Sequence, residues 1–306
     1  MKNLILFSLC YILFTFSNPL QSQTLNFEKN KEGIWLKENG NPRFFYRMTT
    51  KSKGGEYPRA NYIHPLYSLD GEPLTEDFPE DHYHHRGIFW TWHQLYVDGI
   101  RVADPWLCEG ISWEVKSTNT NINDGKAILE AHVYWEIPQL ENQAVLKEKV
   151  LISYERLEEN VYALSFDIDL QALVDNLEIG GSEDAKGYGG FSPRIDLPEN
   201  IRFSDINGNV MPQNLAVQAG PWINLSGDFS PKTNGITIMG EPEKLPSFQG
   251  WILRSAKSMQ NMAFPGRKPI KIPKGKNLNI RNRILVHKNL TSKEIEKYYQ
   301  QFSNKK

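Results

Sequence analysis

Apolar and polar residues alternate along much of the chain with a period of two, the pattern that is typical of β-strands. The clearest example is the segment from Ala127 to Ile137, in which every second residue is apolar. Because successive side chains of a strand point to opposite faces, this segment is expected to pack one face on a core. Its other face, which carries Glu130, His132, Tyr134 and Glu136, is expected to meet water or a ligand.

The same alternation recurs on both sides of turn residues, which predicts antiparallel hairpins. Segments 150–154 and 162–170 alternate on either side of Glu158-Glu159-Asn160, and Asn207-Gly208 is a dipeptide that favours a tight hairpin turn. Strand follows strand without helical periodicity between them. The predicted fold class is therefore all-β, an antiparallel β-sandwich or supersandwich.

Only the end of the chain shows helical periodicity. Thr291 or Ser292 can cap a short C-terminal helix. The apolar stripe of this helix, which is expected to pack against a sheet, consists of Ile295, Tyr298, Tyr299 and Phe302.

The first residues predict an exported protein. Lys2 precedes an apolar run from Leu4 to Phe16, which is the pattern of a cleaved signal peptide over residues 1–23. Residues 24–306 are then expected to form a single β-sandwich domain, located in the periplasm or outside the cell. No later stretch approaches the roughly 20 apolar residues of a membrane helix, so we expect no membrane span in the mature chain. Cleavage removes Cys10 and leaves only Cys108, so no intramolecular disulfide is expected.

Composition restricts the class of partner. The net charge of −1 provides no sustained basic surface, which argues against a nucleic acid. Aromatic residues make up 12% of the chain and include eight tryptophans, which suit either a core or a sugar-stacking platform. A small molecule or an oligosaccharide is the expected partner. The chain also lacks the phosphate-binding loop, the nucleophile elbow, the paired-cysteine zinc signature and the dinucleotide fingerprint.

The candidate chemistry is concentrated in one segment. The stretch from Asn61 to Trp92 contains four of the seven histidines. In extended geometry, His82 and His84 would share one face, and Asp81, Tyr83 and His85 the other. A structural alternative is about as probable for any one of these histidines, because many histidines only form hydrogen bonds within polar loops.

Two histidines separated by one residue can also chelate a metal. Together with His64 or a carboxylate, His82 and His84 would leave a coordination position open for water or substrate. This spacing is weakly specific. No cofactor is therefore assured by the sequence, and a divalent metal is an open alternative.

Acidic and cationic residues near the histidines complete the predicted catalytic set. Arg86 can bind a carboxylate or an oxyanion and lower the pKa of neighbouring histidines. A hairpin at Asp98-Gly99 can return Asp104 or Glu109 beside the imidazoles, where either acid could act as a general base or cap a turn. The catalytic candidates are His82, His84, His85, Arg86 and Glu109.

Aromatic residues and a glycine-rich loop supply candidates for substrate binding. Trp90, Trp92 and Trp106 can stack on a sugar, although tryptophans that alternate along a strand are more often core residues. The loop that carries Tyr188 and Arg194 can close over a polar ligand. The substrate-binding candidates are His64, Trp90, Trp92, Asp104, Trp106, Tyr188 and Arg194.

Four segments resemble a known family, the secreted bacterial family catalogued as "methane oxygenase PmoA". They are Tyr-Ile-His-Pro-Leu at 62–66, Asp-His-Tyr-His-His-Arg-Gly-Ile-Phe-Trp at 81–90, Gly-Tyr-Gly-Gly-Phe-Ser at 187–192 with Arg194, and Asn-Gly-Ile-Thr-Ile at 234–238. The resemblance covers nearly all of the mature chain. It implies a PmoA-like domain and assigns no catalytic role to any residue.

A second resemblance, to galactose mutarotase-like proteins, implies a supersandwich with a sugar site on its concave sheet. It implies histidine as the acid and a carboxylate as the base, parts that His82, His84 or His85 and Glu109 can take. The histidine-glycine-glycine motif of aldose epimerases is absent, because Arg86 follows His85.

The function expected from the sequence is therefore that of a secreted carbohydrate-active isomerase, lyase or hydrolase that uses histidine and carboxylate acid–base chemistry. A noncatalytic carbohydrate-binding protein and a metal-dependent enzyme that uses the histidine cluster are the alternatives.

Overall fold

The computed structural model describes residues 24–256 and 259–304, and the predicted signal peptide at 1–23 lies outside the described residues. Short 3-10 helices span Pro138–Leu140 and Pro242–Lys244, and one α-helix, α1, spans Ser292–Ser303. The strands, in chain order, are β1 (Leu25–Lys29), β2 (Gly33–Glu38), β3 (Asn41–Arg47), β4 (Lys51–Lys53), β5 (Glu56–Arg59), β6 (Tyr62–Leu66), β7 (Ile88–Thr91), β8 (Gln94–Val97), β9 (Ile100–Ala103), β10 (Ser112–Asn123), β11 (Lys126–Ile137), β12 (Gln143–Glu158), β13 (Val161–Ala172), β14 (Leu177–Gly180), β15 (Gly190–Pro193), β16 (Arg202–Asp205), β17 (Gly208–Asn209), β18 (Trp222–Ser230), β19 (Thr233–Gly240), β20 (Gly250–Ile252), β21 (Asn261–Ala263), β22 (Ile270–Ile272) and β23 (Asn277–His287).

Two large antiparallel sheets pack face to face. One has nine strands in the order β10-β11-β12-β13-β23-β19-β18-β16-β17, and the other has six in the order β1-β2-β3-β6-β7-β15. Leu129 and Ile152 of the first sheet share a core with Ile34 and Ile63 of the second. Each such buried aliphatic side chain stabilises the fold by roughly 1.5–3 kcal/mol. The prediction of an all-β antiparallel sandwich is confirmed.

The local sequence patterns correspond to the observed strands. Burial alternates along β11, and β12 and β13 form the predicted hairpin around 159–160. The second predicted hairpin also forms, between β16 and β17, but Asp205 pairs with Gly208, so its turn is Ile206-Asn207 and lies one residue early. The reason is that the Asp205 carboxylate accepts a hydrogen bond from the backbone N–H of Asn207 at 2.8 Å.

Helix α1 forms as predicted at the C-terminal end. Thr291 caps it through a capping box with Glu294. Of the helices in the described part of the chain, none combines the length and apolar character that crossing a bilayer requires. The helix buries its predicted stripe against residues of the nine-stranded sheet, namely Val161, Ala163, Trp222, Met239 and Leu285.

A buried carboxylate joins the two sheets at the centre of the core. Glu148 on β12 accepts hydrogen bonds from the Asn61 amide at 2.8 Å and from the indole N–H groups of Trp90 at 2.8 Å and Trp135 at 2.9 Å. Burial raises the pKa of Glu148 to about 6, although these donors favour its charged form.

A smaller four-stranded sheet, in the order β22-β14-β8-β9, continues from the end of β7. Strand β15 pairs with β7, with Phe191 opposite Trp90. The connections before β7, between β7 and β8, after β9, between β14 and β15 and between β20 and β21 carry the residues of one cavity.

Candidate active site

The histidine segment folds into two successive tight turns and is not extended. The backbone N–H of His82 donates to the Pro79 carbonyl at 3.0 Å, and that of His85 donates to the His82 carbonyl at 2.9 Å. The predicted separation of His85 from His82 and His84 is therefore wrong, because the turns gather all three rings. The rings of His82 and His85 stack with centroids 4.7 Å apart, and His84 meets His85 edge-on at 4.6 Å.

These rings line a cavity of about 310 Å³. This volume lies at the lower end of the range of about 300–1,000 Å³ for small-molecule sites, which suits a ligand of one sugar ring. Its apolar wall consists of Trp106, Leu107, Ala256 and Met259. Its polar wall consists of His82, His84, His85, His93, Lys186, Tyr188 and Arg254.

His93 has a carboxylate partner behind it. Its Nδ1 lies 3.0 Å from Oδ2 of Asp104, which also accepts a hydrogen bond from Arg101 at 2.9 Å. Because a carboxylate only accepts, Nδ1 of His93 carries a proton, and in the neutral ring Nε2 carries the lone pair. This Nε2 is buried and has no hydrogen-bond partner among the described residues. A buried imidazole nitrogen without a partner in a cavity wall is a candidate functional group.

The β8–β9 hairpin brings His93 and Asp104 together. Leu95 pairs with Ala103 near its open end, so the residues just outside the two strands face each other. The ring of His93 stacks on Trp106 with centroids 5.3 Å apart, and the ring of Tyr188 meets His93 edge-on at 5.1 Å. Both ring contacts fix the orientation of the imidazole.

His85 has the opposite arrangement of donor and acceptor. Its Nδ1 lies 3.3 Å from Nη1 of Arg194. A guanidinium only donates hydrogen bonds, so Nδ1 accepts and the neutral ring carries its proton on Nε2. Burial, followed by the charges of His84, His82 and Arg194, holds the pKa of His85 well below 6.5.

His84 is also neutral at physiological pH. Burial, followed by the charges of His82 and Arg59, lowers its pKa to about 3. The cluster therefore presents the neutral imidazoles of His84 and His85 to a ligand, because burial and the neighbouring cations disfavour their protonated forms.

Arg194 lies behind the cavity wall and orients His85. It is buried and pairs with Glu76 at 2.6 Å and with Asp81 at 2.8 Å. Asp81 also accepts a hydrogen bond from Nδ1 of His82 at 2.8 Å. The predicted substrate-binding residue Arg194 thus connects two of the cavity histidines through fixed ionic contacts.

Two predicted site residues, Arg86 and His64, do not line the cavity. Arg86 is fully buried, pairs with Asp77 at 3.1 Å and lies over the ring of Phe78 at 3.2 Å. Nδ1 of His64 lies 3.0 Å from the Thr75 hydroxyl, and burial lowers the pKa of His64 to about 4. Both residues have partners in the interior, so their contacts are structural.

The predicted stacking tryptophans divide between the cavity and the core. Trp106 lines the cavity, but His93 covers one of its faces. Trp90 and Trp92 are core residues, and the Trp92 indole N–H donates to the Phe264 carbonyl at 2.7 Å. Neither Trp90 nor Trp92 offers a face to a ligand, because their side chains are enclosed between the sheets.

The β8–β9 hairpin places an acidic side chain beside the histidines, and this side chain is that of Asp104 and not that of Glu109. Glu109 is exposed and lines a separate shallow cavity with Arg101 and Gln139. Its backbone bridges that of Asp104, with the Asp104 N–H donating to the Glu109 carbonyl at 2.9 Å. Asp104 also lines this shallow cavity, but of the two carboxylates it is the one that lies within hydrogen-bond distance of His93.

Sequence reasoning missed His93, Lys186 and Arg254. His93 directly follows Trp92. If the predicted hairpin around Asp98-Gly99 is extended outwards, His93 lies opposite Asp104, so the sequence contained the information needed to predict this pair. Arg254 comes from a connection far along the chain, and no local pattern indicates its position.

The predicted metal ligands do not come together among the described residues. Among residues 24–256 and 259–304, no group of three or more His, Cys, Asp or Glu side chains is arranged to hold an ion. The rings of His82 and His84 meet edge-on with centroids 5.6 Å apart, and His64 lies outside the cavity with its Nδ1 at the Thr75 hydroxyl. In addition, Arg194 donates to Nδ1 of His85, and its positive charge disfavours a bound cation.

Comparison with known proteins gives one family. The sequence model described as "Family of unknown function (DUF6807)" matches residues 34–300. No curated protein matches the chain. Among solved structures, a mutant of heparan sulfate lyase HepC from Pedobacter heparinus matches with a TM-score of 0.42 and 8% identity, over 88% of this chain and 36% of that chain. HepC itself matches with a TM-score of 0.40 and 7% identity over the same shares. With TM-scores below 0.5, these two structures show no property of this chain.

Proposed function

The chain belongs to this family of unknown function, and we propose that it is an enzyme that performs general acid–base chemistry on a sugar-sized ligand in the histidine cavity. One observation carries the proposal: a carboxylate fixes Nδ1 of His93, and the opposite nitrogen of the same ring is buried without a partner among the described residues. Asp104 holds the tautomer in which Nε2 can accept a proton from the ligand.

The imidazoles of His84 and His85 supply hydrogen bonds and no charge. His85, protonated on Nε2, donates to an oxygen on which negative charge develops. His84 is neutral and can donate to or accept from a ligand hydroxyl. In an isomerase, His93 would take a proton from one ligand carbon and return it to another. In a lyase, loss of the carbon-bound proton would form a C=C bond as the glycosidic oxygen leaves with a proton. In a hydrolase, His93 would take a proton from water as the water oxygen replaces the glycosidic oxygen, which leaves with a proton.

A carbohydrate is the proposed ligand because the wall combines many polar hydrogen-bonding groups with the aromatic residues Trp106 and Tyr188. This assignment moves the base from Glu109 to the pair of His93 and Asp104. The PmoA-like and mutarotase-like character of the domain and the export of the protein remain part of the proposal, supported by the sequence motifs and the predicted signal peptide.

The test measures turnover and binding with the same variants. Purified protein is incubated with methyl glycosides of neutral and acidic sugars in deuterated water, and ¹H NMR follows product formation and loss of ligand C–H signals. The change His93→Ala is expected to lower the rate by about 10²–10⁴, the usual contribution of a general base, while ligand binding persists. His132→Ala is the matched control, because His132 pairs with Glu130 at 2.9 Å at the surface of β11.

Two outcomes reject the proposal. Equal turnover by the His93→Ala and His132→Ala proteins would remove His93 from the chemistry. Binding of a panel sugar without any conversion by the wild-type protein would favour the noncatalytic carbohydrate-binding alternative.

A further inference from the structure

Arg254 is a guanidinium fixed at the wall of the histidine cavity. Its Nη1 donates to the carbonyls of Gln213 at 2.7 Å and Leu253 at 2.8 Å, and its Nη2 donates to that of Asn214 at 3.0 Å. Arginine has five N–H donors, so the donor on Nε and one on Nη2 have no acceptor among the described residues. These donors lie on adjacent nitrogens, the arrangement that binds a carboxylate through two parallel hydrogen bonds.

Arg254 also has no carboxylate partner within the described part of the chain. Asp184 and Tyr188 affect its pKa, which burial lowers below the usual value. The Asp184 carboxylate is instead engaged by the Ser182 hydroxyl at 2.7 Å and lies 3.5 Å from Nζ of Lys186. Arg254 thus donates to three carbonyls and to no carboxylate among the described residues, and the charge of Asp184 acts on it without a hydrogen bond.

A second guanidinium increases the positive field. Arg59 is buried and donates to the Pro105 carbonyl at 2.6 Å and to Sγ of Cys108 at 3.3 Å, again with no carboxylate partner among the residues that the structure describes. Asp104, which lies behind His93, is already shared by Arg101 and His93. Arg254 and Arg59 are therefore two guanidinium groups near the cavity that have no carboxylate partner among the described residues, and the charge of Arg59 acts on His84 and His85.

We infer that the ligand of the cavity carries a carboxylate that pairs with Arg254, which makes the substrate class an acidic sugar, a uronic acid or a uronoside. The inference rests on the proposed function for the location of the site and adds the charge of the ligand. Lys186, which also lines the cavity, contributes a second, more mobile cation.

The test compares ligands that differ only in the carboxylate. Quenching of tryptophan fluorescence, with Trp106 in the cavity wall, reports binding of methyl β-D-glucuronoside and methyl β-D-glucoside, and of the corresponding galacturonoside and galactoside. We expect at least one acidic probe to bind about tenfold more tightly, or better, than its neutral counterpart. The preference should weaken at high ionic strength.

Variants then locate the charge that carries the preference. Arg254→Gln is expected to remove it, Arg254→Lys to retain part of it, and Arg202→Gln, at an exposed position on β16, to leave it unchanged. The comparison of acidic and neutral probes on the wild-type protein decides the question even if a variant fails to fold.

The outcomes separate this inference from the proposed function. Carboxylate-selective binding that depends on Arg254, without turnover of any probe, supports the inference and rejects the catalytic proposal. Turnover of neutral glycosides that depends on His93, with no preference for acidic probes, retains the catalytic proposal and overturns the inference. Failure of every acidic probe to bind also overturns it.

Discussion

Nδ1 of His93 and Oδ2 of Asp104 lie 3.0 Å apart, one residue beyond each end of the β8–β9 hairpin. Arg101 donates to the same oxygen at 2.9 Å, so this oxygen accepts from both side chains. The pair thus fixes the orientation of an imidazole whose ring lines the histidine cavity, and in the neutral ring it holds the proton on Nδ1.

Asp104→Asn should lower kcat while the fold persists. The asparagine can keep the hydrogen bond that Oδ1 accepts from the Leu107 N–H at 3.1 Å. Its amide group, however, donates to Nδ1 of His93 and moves the ring proton to Nε2, so the base is lost. We expect a fall of about 10²–10⁴ in kcat, with a smaller change in KM.

Glu109→Gln is the control for that prediction, since it tests the acid that the sequence favoured. Glu109 is exposed and lines a different cavity, so kcat should remain at the wild-type value. A loss of kcat in Glu109→Gln with full activity in Asp104→Asn would reverse the assignment of the acid.

His84 and His85 should stay neutral across the physiological pH range. The folded-state pKa of His84 is about 3 and that of His85 lies well below 6.5, so neither ring titrates between pH 5.5 and 8. Titration of the ring ¹⁵N signals by NMR measures this, with His85 showing a protonated Nε2. An inflection near pH 6.5 for either residue would contradict the arrangement of the cluster.

Glu148 should make stability depend on pH in an unusual direction. Its folded pKa is raised from 4.5 to about 6, so between these values the folded protein holds a proton that the unfolded chain releases. The free energy of unfolding should therefore fall by about 2 kcal/mol in total as pH rises from well below 4.5 to well above 6.

Glu148→Gln should lack this contribution while being less stable overall, because its amide N–H faces donor groups. Chemical denaturation of both proteins at several pH values gives the difference in unfolding free energy. Parallel curves for the two proteins would show that Glu148 does not carry the effect.

Arg86→Met should affect stability and leave the chemistry of the cavity intact. The change leaves the buried Asp77 with only Lys51, at 2.6 Å, as its ionic partner. Breaking a buried ion pair costs about 3–5 kcal/mol, which denaturant unfolding measures. A stably folded Arg86→Met protein that has lost turnover would restore Arg86 to the catalytic set.

The sandwich could be predicted because its signal is local. In the segment from Ala127 to Ile137 the face of each side chain follows from a period of two, and the cap at Thr291 follows from residue type. Placement of side chains in the site depended on information that is not local. Two turns closed by the Pro79 and His82 carbonyls replaced the extended geometry, so His85 joined its neighbours.

Arg86 and Trp90 show the same limit in the interior. A cation next to three histidines suggested a shared site, but contacts with Asp77 and Phe78 hold Arg86 in the protein interior, outside the lining of the histidine cavity. Trp90 was assigned to a ligand, whereas its indole N–H donates to a carboxylate at Glu148 that lies far along the chain. Such partners are set by the packing of the sheets.

A double-mutant cycle on His93 and Asp104 tests the central claim most directly. The value of kcat/KM is measured for the wild-type protein, His93→Ala, Asp104→Asn and the double variant, on a substrate found in the panel. If the two residues act as one unit, the double variant should lose no more than His93→Ala alone. Losses that multiply would show that the residues act independently and would contradict the account.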